Sequence, residues 1–138
     1  MTTWNIADVV RQAGEVAKAS GWHDKPYNVG EQLMLIVTEV AEAMEDVRVA
    51  SDTYKLDKLY FEHPVGSDVE LSDTGFEFPD AQGNIRYFKP VGFPSELADI
   101  VIRVAHLAYR MGIDLNDAVH KKMLYNATRT HRHGGKNV

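Results

Sequence analysis

Two acidic pairs, Glu39-x-x-Glu42 and Glu96-x-x-Asp99, have the residue types and spacing that a divalent metal site requires. Each pair lies in a stretch with helical periodicity, where a spacing of three puts both carboxylates on one face about a turn apart. Asp46 extends the first stripe, at i+7 from Glu39. Two such helices packed together would point four acids at one spot. Like charges about 4 Å apart cost about 4 kcal/mol per pair at an effective dielectric of about 20, so a cation must sit among them. Oxygen-only donors favour a hard ion, Mg²⁺ or Mn²⁺, over zinc or copper. The competing reading is a solvated helix face, since Glu-x-x-Glu recurs by chance on exposed helices.

Four helical segments and one interruption must position these acids. The first runs from about Thr3 to Ser20, with Ile6, Val9, Val10, Ala13, Val16 and Ala17 as its apolar stripe and Gly21 to end it. The second opens at Asn28 and carries Leu33, Ile36, Val37, Val40, Ala41, Met44 and Val47. A third starts near Pro94-Ser95-Glu96 and ends before Gly112, and a fourth begins at Asp114 with Asp117 in capping-box position. Between the acidic helices, about 51–93, glycines and prolines break any long helix. There Phe76-Glu77-Phe78 and Ile85-Arg86-Tyr87-Phe88 flank an Asx- and Gly-rich turn, the pattern of a β-hairpin. The expected fold is all-α, a single domain over 1–138: a four-to-five-helix bundle with a long loop and β-hairpin inserted between the acidic helices.

The net charge of −5 conceals an asymmetry. Every acid lies at or before Asp117, whereas Lys121, Lys122, Arg129, Arg132 and Lys136 follow it unopposed, the last two in a basic tail at about 130–138. Lys122, Asn126 and Arg129 share one face of the fourth helix and could hold the phosphates and sugar of a nucleotide beside a metal. His131-x-His133 is only a weak metal signal in an aperiodic tail. Without cysteine, disulfides, thiolate catalysis and Cys-ligated zinc are excluded. The acidic body disfavours nucleic acid as a partner. No basic leader opens the chain and no apolar run approaches the roughly 20 residues of a membrane span, so a soluble, cytoplasmic protein is expected.

In this order and placement, the acidic pairs resemble the Glu-x-x-Glu, spacer, Glu-x-x-Asp signature of the MazG-like all-α nucleoside triphosphate pyrophosphohydrolase superfamily. Lys122-Met123-Leu124-Tyr125-Asn126-Ala127-Thr128-Arg129 resembles that family's Lys/Asn/Arg segment, and His133-Gly134-Gly135-Lys136 its ending in short members. The resemblance implies Mg²⁺-dependent cleavage of a (deoxy)nucleoside triphosphate between the α and β phosphates, giving monophosphate and pyrophosphate in nucleotide-pool housecleaning. Glu39, Glu42, Glu96 and Asp99 would be the metal ligands and catalytic carboxylates, while Lys122, Asn126 and Arg129 would contact phosphate and ribose. Trp22 and His23 follow the first helix, where relatives often present an aromatic residue or a histidine to the base; the alternative use of Trp22 is packing over the end of the bundle. Relatives assemble as dimers or dimers of dimers, and the long apolar faces of the four helices agree with a homo-oligomer. The alternatives are a phosphoribosyl-ATP pyrophosphatase and a catalytically silent helical module that binds a nucleotide or partner. The spacer departs from the family's short one: the insertion is a passive or interfacial element, the favoured reading, or a lid.

Overall fold

The computed structural model describes residues 3–129. Helix α1 is Ile6–Ala19, followed by a short 3₁₀ turn at Trp22–Asp24 and helix α2 at Val29–Val49. Five strands come next: β1 (Tyr60–Val65), β2 (Asp68–Ser72), β3 (Glu77–Pro79), β4 (Ile85–Tyr87) and β5 (Pro90–Val91). Helices α3 (Phe93–Met111) and α4 (Leu115–Thr128) complete the order. The strands form two antiparallel sheets, one in the order β2-β1-β5 and one of β3 with β4. The expectation of an all-α bundle is therefore corrected: the architecture is mixed α/β.

The reason lies in how Pro64 and the glycines of the insertion act. The strand β1 contains Pro64, which reads as a strand breaker in sequence. Glu62 donates its N–H to Lys89 O on the β5 side at 3.0 Å, so the Pro64 nitrogen, two residues on, faces the same way. Strand β5 pairs only with Tyr60 and Phe61, leaving that edge open beside Pro64, where a missing donor breaks no ladder bond. Val65 pairs with Asp68, so β1 and β2 are joined by two residues, and Gly66 supplies the positive φ (63°) that such a turn requires. The hairpin expected near Phe76–Phe88 is β3–β4, with Asp80 Oδ1 accepting the Gln82 and Asn84 N–H groups at 2.9 Å each in its turn.

The chain divides into two compact units. One is Gly30–Val101, which holds nearly all of α2, both sheets and the first half of α3. Aromatic rings knit its sheets together: Phe61 meets Phe76 (centroids 5.1 Å apart), and His63 and Phe78 each stack on Phe88 (4.1 and 4.3 Å). Strand β5 passes into α3 through Gly92, whose φ is 107° and whose added Cβ would lie 3.1 Å from Lys58 O. That close passage sets where α3, and hence Glu96, begins.

The other unit comprises the chain up to Val29 and from Ile102 onward. Helix α1 is closed by a reciprocal capping box between Asn5 and Asp8, and α4 by Asp114, which accepts the Asp117 N–H at 3.0 Å. Gly14 is buried where the Tyr109 ring crosses α1, and Tyr109 donates its hydroxyl to Glu15 at 3.3 Å. A Cβ at Gly14 would fall 2.1 Å from Tyr109 Cγ, inside the ring's van der Waals envelope. Gly14→Ala is expected to destabilise the protein by about 1–3 kcal/mol through overpacking, with Tyr109→Ala in the same chain relieving most of the added strain. Thermal denaturation of the two single variants and the double variant measures that coupling.

Candidate metal centre

Helix α2 leaves one apolar seam exposed and turns an acid inward. Its apolar seam, Leu33, Val37, Val40, Met44 and Val47, is between 43 % (Val47) and 53 % (Val37) exposed. Its inward face carries Leu35, Ile36 and Ala43 together with Glu39 and Asp46, and Glu39 is only 8 % exposed. A carboxylate that deeply withdrawn from water needs compensating positive charge or hydrogen bonds.

Helix α3 brings the second set of acids to this face. Glu96 occupies its first turn and Asp99 the next, both spaced to look along one side. One carboxylate oxygen from each of Glu39, Glu96 and Asp99 lies within 4.8 Å of the others. Opposite oxygens around an octahedral Mg²⁺ are about 4.2 Å apart. Small carboxylate rotations or an intervening water span the difference. Glu42 adjoins the group through a side-chain hydrogen bond with Glu96. Asp46 is not one of these three converging acids, but its charge acts on Glu96, and Tyr54 donates its hydroxyl to Asp46 Oδ1 at 2.7 Å.

The electrostatics record the crowding. The Glu96 carboxyl is pushed up from its ordinary 4.5 to about 7, first by burial, then by the charge of Glu42 and the hydrogen bond with it, then by Asp99 and Asp46. The helix N-terminus favours a carboxylate there and is outweighed. Glu96 Oε2 and Asp46 Oδ2 are buried and have no hydrogen-bond partner within the protein. Unpartnered buried oxygens among all-oxygen donors are what a hard divalent ion would satisfy, so the residues present fit Mg²⁺ or Mn²⁺.

The remaining sequence-derived candidates belong to the other unit. Lys122 and Asn126 lie in α4, and Arg129 is its C-cap. The Lys122 Nζ and Arg129 Cζ atoms lie 5.9 and 5.4 Å from the centroid of the exposed Tyr125 ring, so one aromatic gathers both cations. Trp22 is exposed with the Arg103 guanidinium 5.4 Å from its ring centroid. His23 stacks on buried His106, their Nε2 atoms 3.0 Å apart. Burial, together with the charges of His23, Arg110 and Arg103, depresses the basicity of His106. The basic tail with His131 and His133 lies outside the described residues. Tyr54 was not legible as a site residue, because it sits in an aperiodic segment and reaches Asp46 only through the fold.

No family model, curated protein or solved structure matches this chain. Among the described residues, no helix is long and apolar enough to cross a membrane.

The Glu96 shift has a definite sign. Between about 4.5 and about 7 the folded protein holds a proton that the unfolded chain has released, so this group's contribution to stability is complete at low pH and is lost as pH rises through about 7. In chelator, Glu96→Gln should flatten the fall in melting temperature between pH 5.5 and pH 8. Added Mn²⁺ should raise the wild-type melting temperature most at pH 8 and do much less for the variant.

Proposed function

We propose that this chain is a divalent-metal-dependent pyrophosphohydrolase of nucleoside triphosphates, cleaving between the α and β phosphates to release a monophosphate and pyrophosphate. The observation that carries this is the convergence of Glu39, Glu96 and Asp99 oxygens within 4.8 Å, with unpartnered buried oxygens beside them. The resemblance to MazG-like enzymes supplies the reaction. It concerns the acidic motifs and the Lys/Asn/Arg segment, and does not extend to the fold class.

Glu39, Glu42, Glu96 and Asp99 would hold Mg²⁺, which when bound supplies charge to the phosphoryl oxygens and lowers the pKa of a water. One carboxylate of the set would orient the attacking water and accept its proton. Such chemistry belongs in the cytoplasm, where its substrates are.

The same proposal includes a second copy of the chain as partner. Leu33, Val37, Val40, Met44 and Val47 follow the four-three spacing of a helix–helix seam, and each is about half exposed. Among the described residues no large side chain is fully buried, so one copy alone leaves much apolar surface in water.

Two experiments test these statements. With a panel of ribo- and deoxynucleoside triphosphates and phosphoribosyl-ATP, wild-type protein should release pyrophosphate only when Mg²⁺ is present, and Asp99→Asn should lose on the order of 100-fold or more in turnover. Release of single phosphates, or no turnover of any substrate, overturns the proposal in favour of a silent binding module. By light scattering, the wild type should have at least twice the chain mass and Val40→Glu should shift toward the monomer.

A further inference from the structure

The insertion between the acidic helices has, in this chain, a direct physical connection to the acids. Tyr54 lies between α2 and β1, and its ring stacks on Tyr60 with centroids 5.2 Å apart and planes 15° from parallel. Tyr60 is the first residue of β1, is buried, and accepts the Lys55 N–H on its hydroxyl at 2.9 Å. That hydrogen bond ties the backbone just after Tyr54 to the sheet. The Tyr54 hydroxyl then reaches back to Asp46 Oδ1 at 2.7 Å, leaving Asp46 Oδ2 buried without a partner.

Tyr60 also pairs with Val91 on β5 and packs beside Gly92, where α3 begins. One aromatic pair is thus anchored to the strand that launches Glu96 and to the acid at the end of the α2 stripe. This contact chain lies within Gly30–Val101, the unit that holds the acidic cluster.

We infer that Tyr54 is a positioning residue of the metal centre: by occupying one oxygen of Asp46 it orients the other toward the ion, making Asp46 a participant beside Glu39, Glu42, Glu96 and Asp99. The inference rests on the pyrophosphohydrolase reading for the site it serves. It assigns the insertion a task, as a brace for the centre and not as a lid. Burial, then the hydrogen bond to Asp46 and the charges of Asp46 and Glu96, push the Tyr54 phenol up to about 12, so it remains a donor throughout the working range. A hydroxyl donating to Oδ1 takes up one lone-pair direction and fixes the carboxylate plane, which is how outer partners of metal ligands tune affinity.

The test is Mn²⁺ binding to the full chain, without nucleotide, by calorimetric titration. Tyr54→Phe keeps the ring and its stack on Tyr60 while removing the donor, and it should weaken Mn²⁺ binding by about 10- to 100-fold. Asp46→Asn should weaken it as well, and adding Tyr54→Phe to Asp46→Asn should then change little, because both act through one contact. Unchanged Mn²⁺ affinity in Tyr54→Phe overturns the inference, as does an effect of Tyr54→Phe that persists in full in the Asp46→Asn background. A loss of melting temperature with no loss of affinity assigns Tyr54 to packing alone and also overturns it. If wild-type protein binds no Mn²⁺, the metal centre itself fails, an outcome distinct from failure of the Tyr54 brace.

Discussion

Repulsion among carboxylates withdrawn from water is the constraint on which the arrangement of α2, α3 and the insertion depends. Glu39 is buried, Glu96 has an oxygen shut off from solvent, and Asp46 has another. In a medium less polar than water each such pair costs several times what it would on a surface. The protein answers this in part with a proton on Glu96 near neutral pH and with the Tyr54 hydroxyl on Asp46. Neither answer satisfies the orphaned oxygens, and in the proposed function a divalent ion does.

The rotation of α2 that buries Glu39 leaves the apolar seam of α2 in water. A helix has one circumference: if the Glu39, Ala43 and Asp46 face turns inward, the Val37, Val40 and Met44 face cannot. An exposed seam of this kind and the burial of Glu39 are thus two results of one rotation of α2. On the proposed reading, the first accommodates a second copy and the second accommodates an ion.

The insertion changes meaning once its strands are seen. As a run of glycines and prolines it looks like an interruption that a helical protein must loop out. In the structure Pro64 sits where no ladder donor is needed, and Gly66 and Gly92 sit where the backbone turns or passes close to another segment. The aromatic residues between them form the packing of two small sheets. Those sheets fix the start of α3 through β5 and Gly92, and they carry the Tyr54 and Tyr60 pair to Asp46.

The sequence by itself determined the presence and order of the four helices, the ends of α3, the β3–β4 hairpin and the pairing of acids on single helix faces. These depend on spacing, caps and turn residues that act over a few positions, as Asp114 capping α4 and the Asx turn at Asp80 illustrate. Only the tertiary structure decided which face of α2 points inward, because an apolar stripe and an acidic stripe on one helix are both visible in sequence and packing alone ranks them. It also decided that the insertion is a pair of sheets, since β1 and β5 are brought together by contacts distant in the chain. Glu39, Glu96 and Asp99 could be named as candidates from their spacing. Their convergence, and the reach of Tyr54 to Asp46, come from packing between segments that no local pattern encodes.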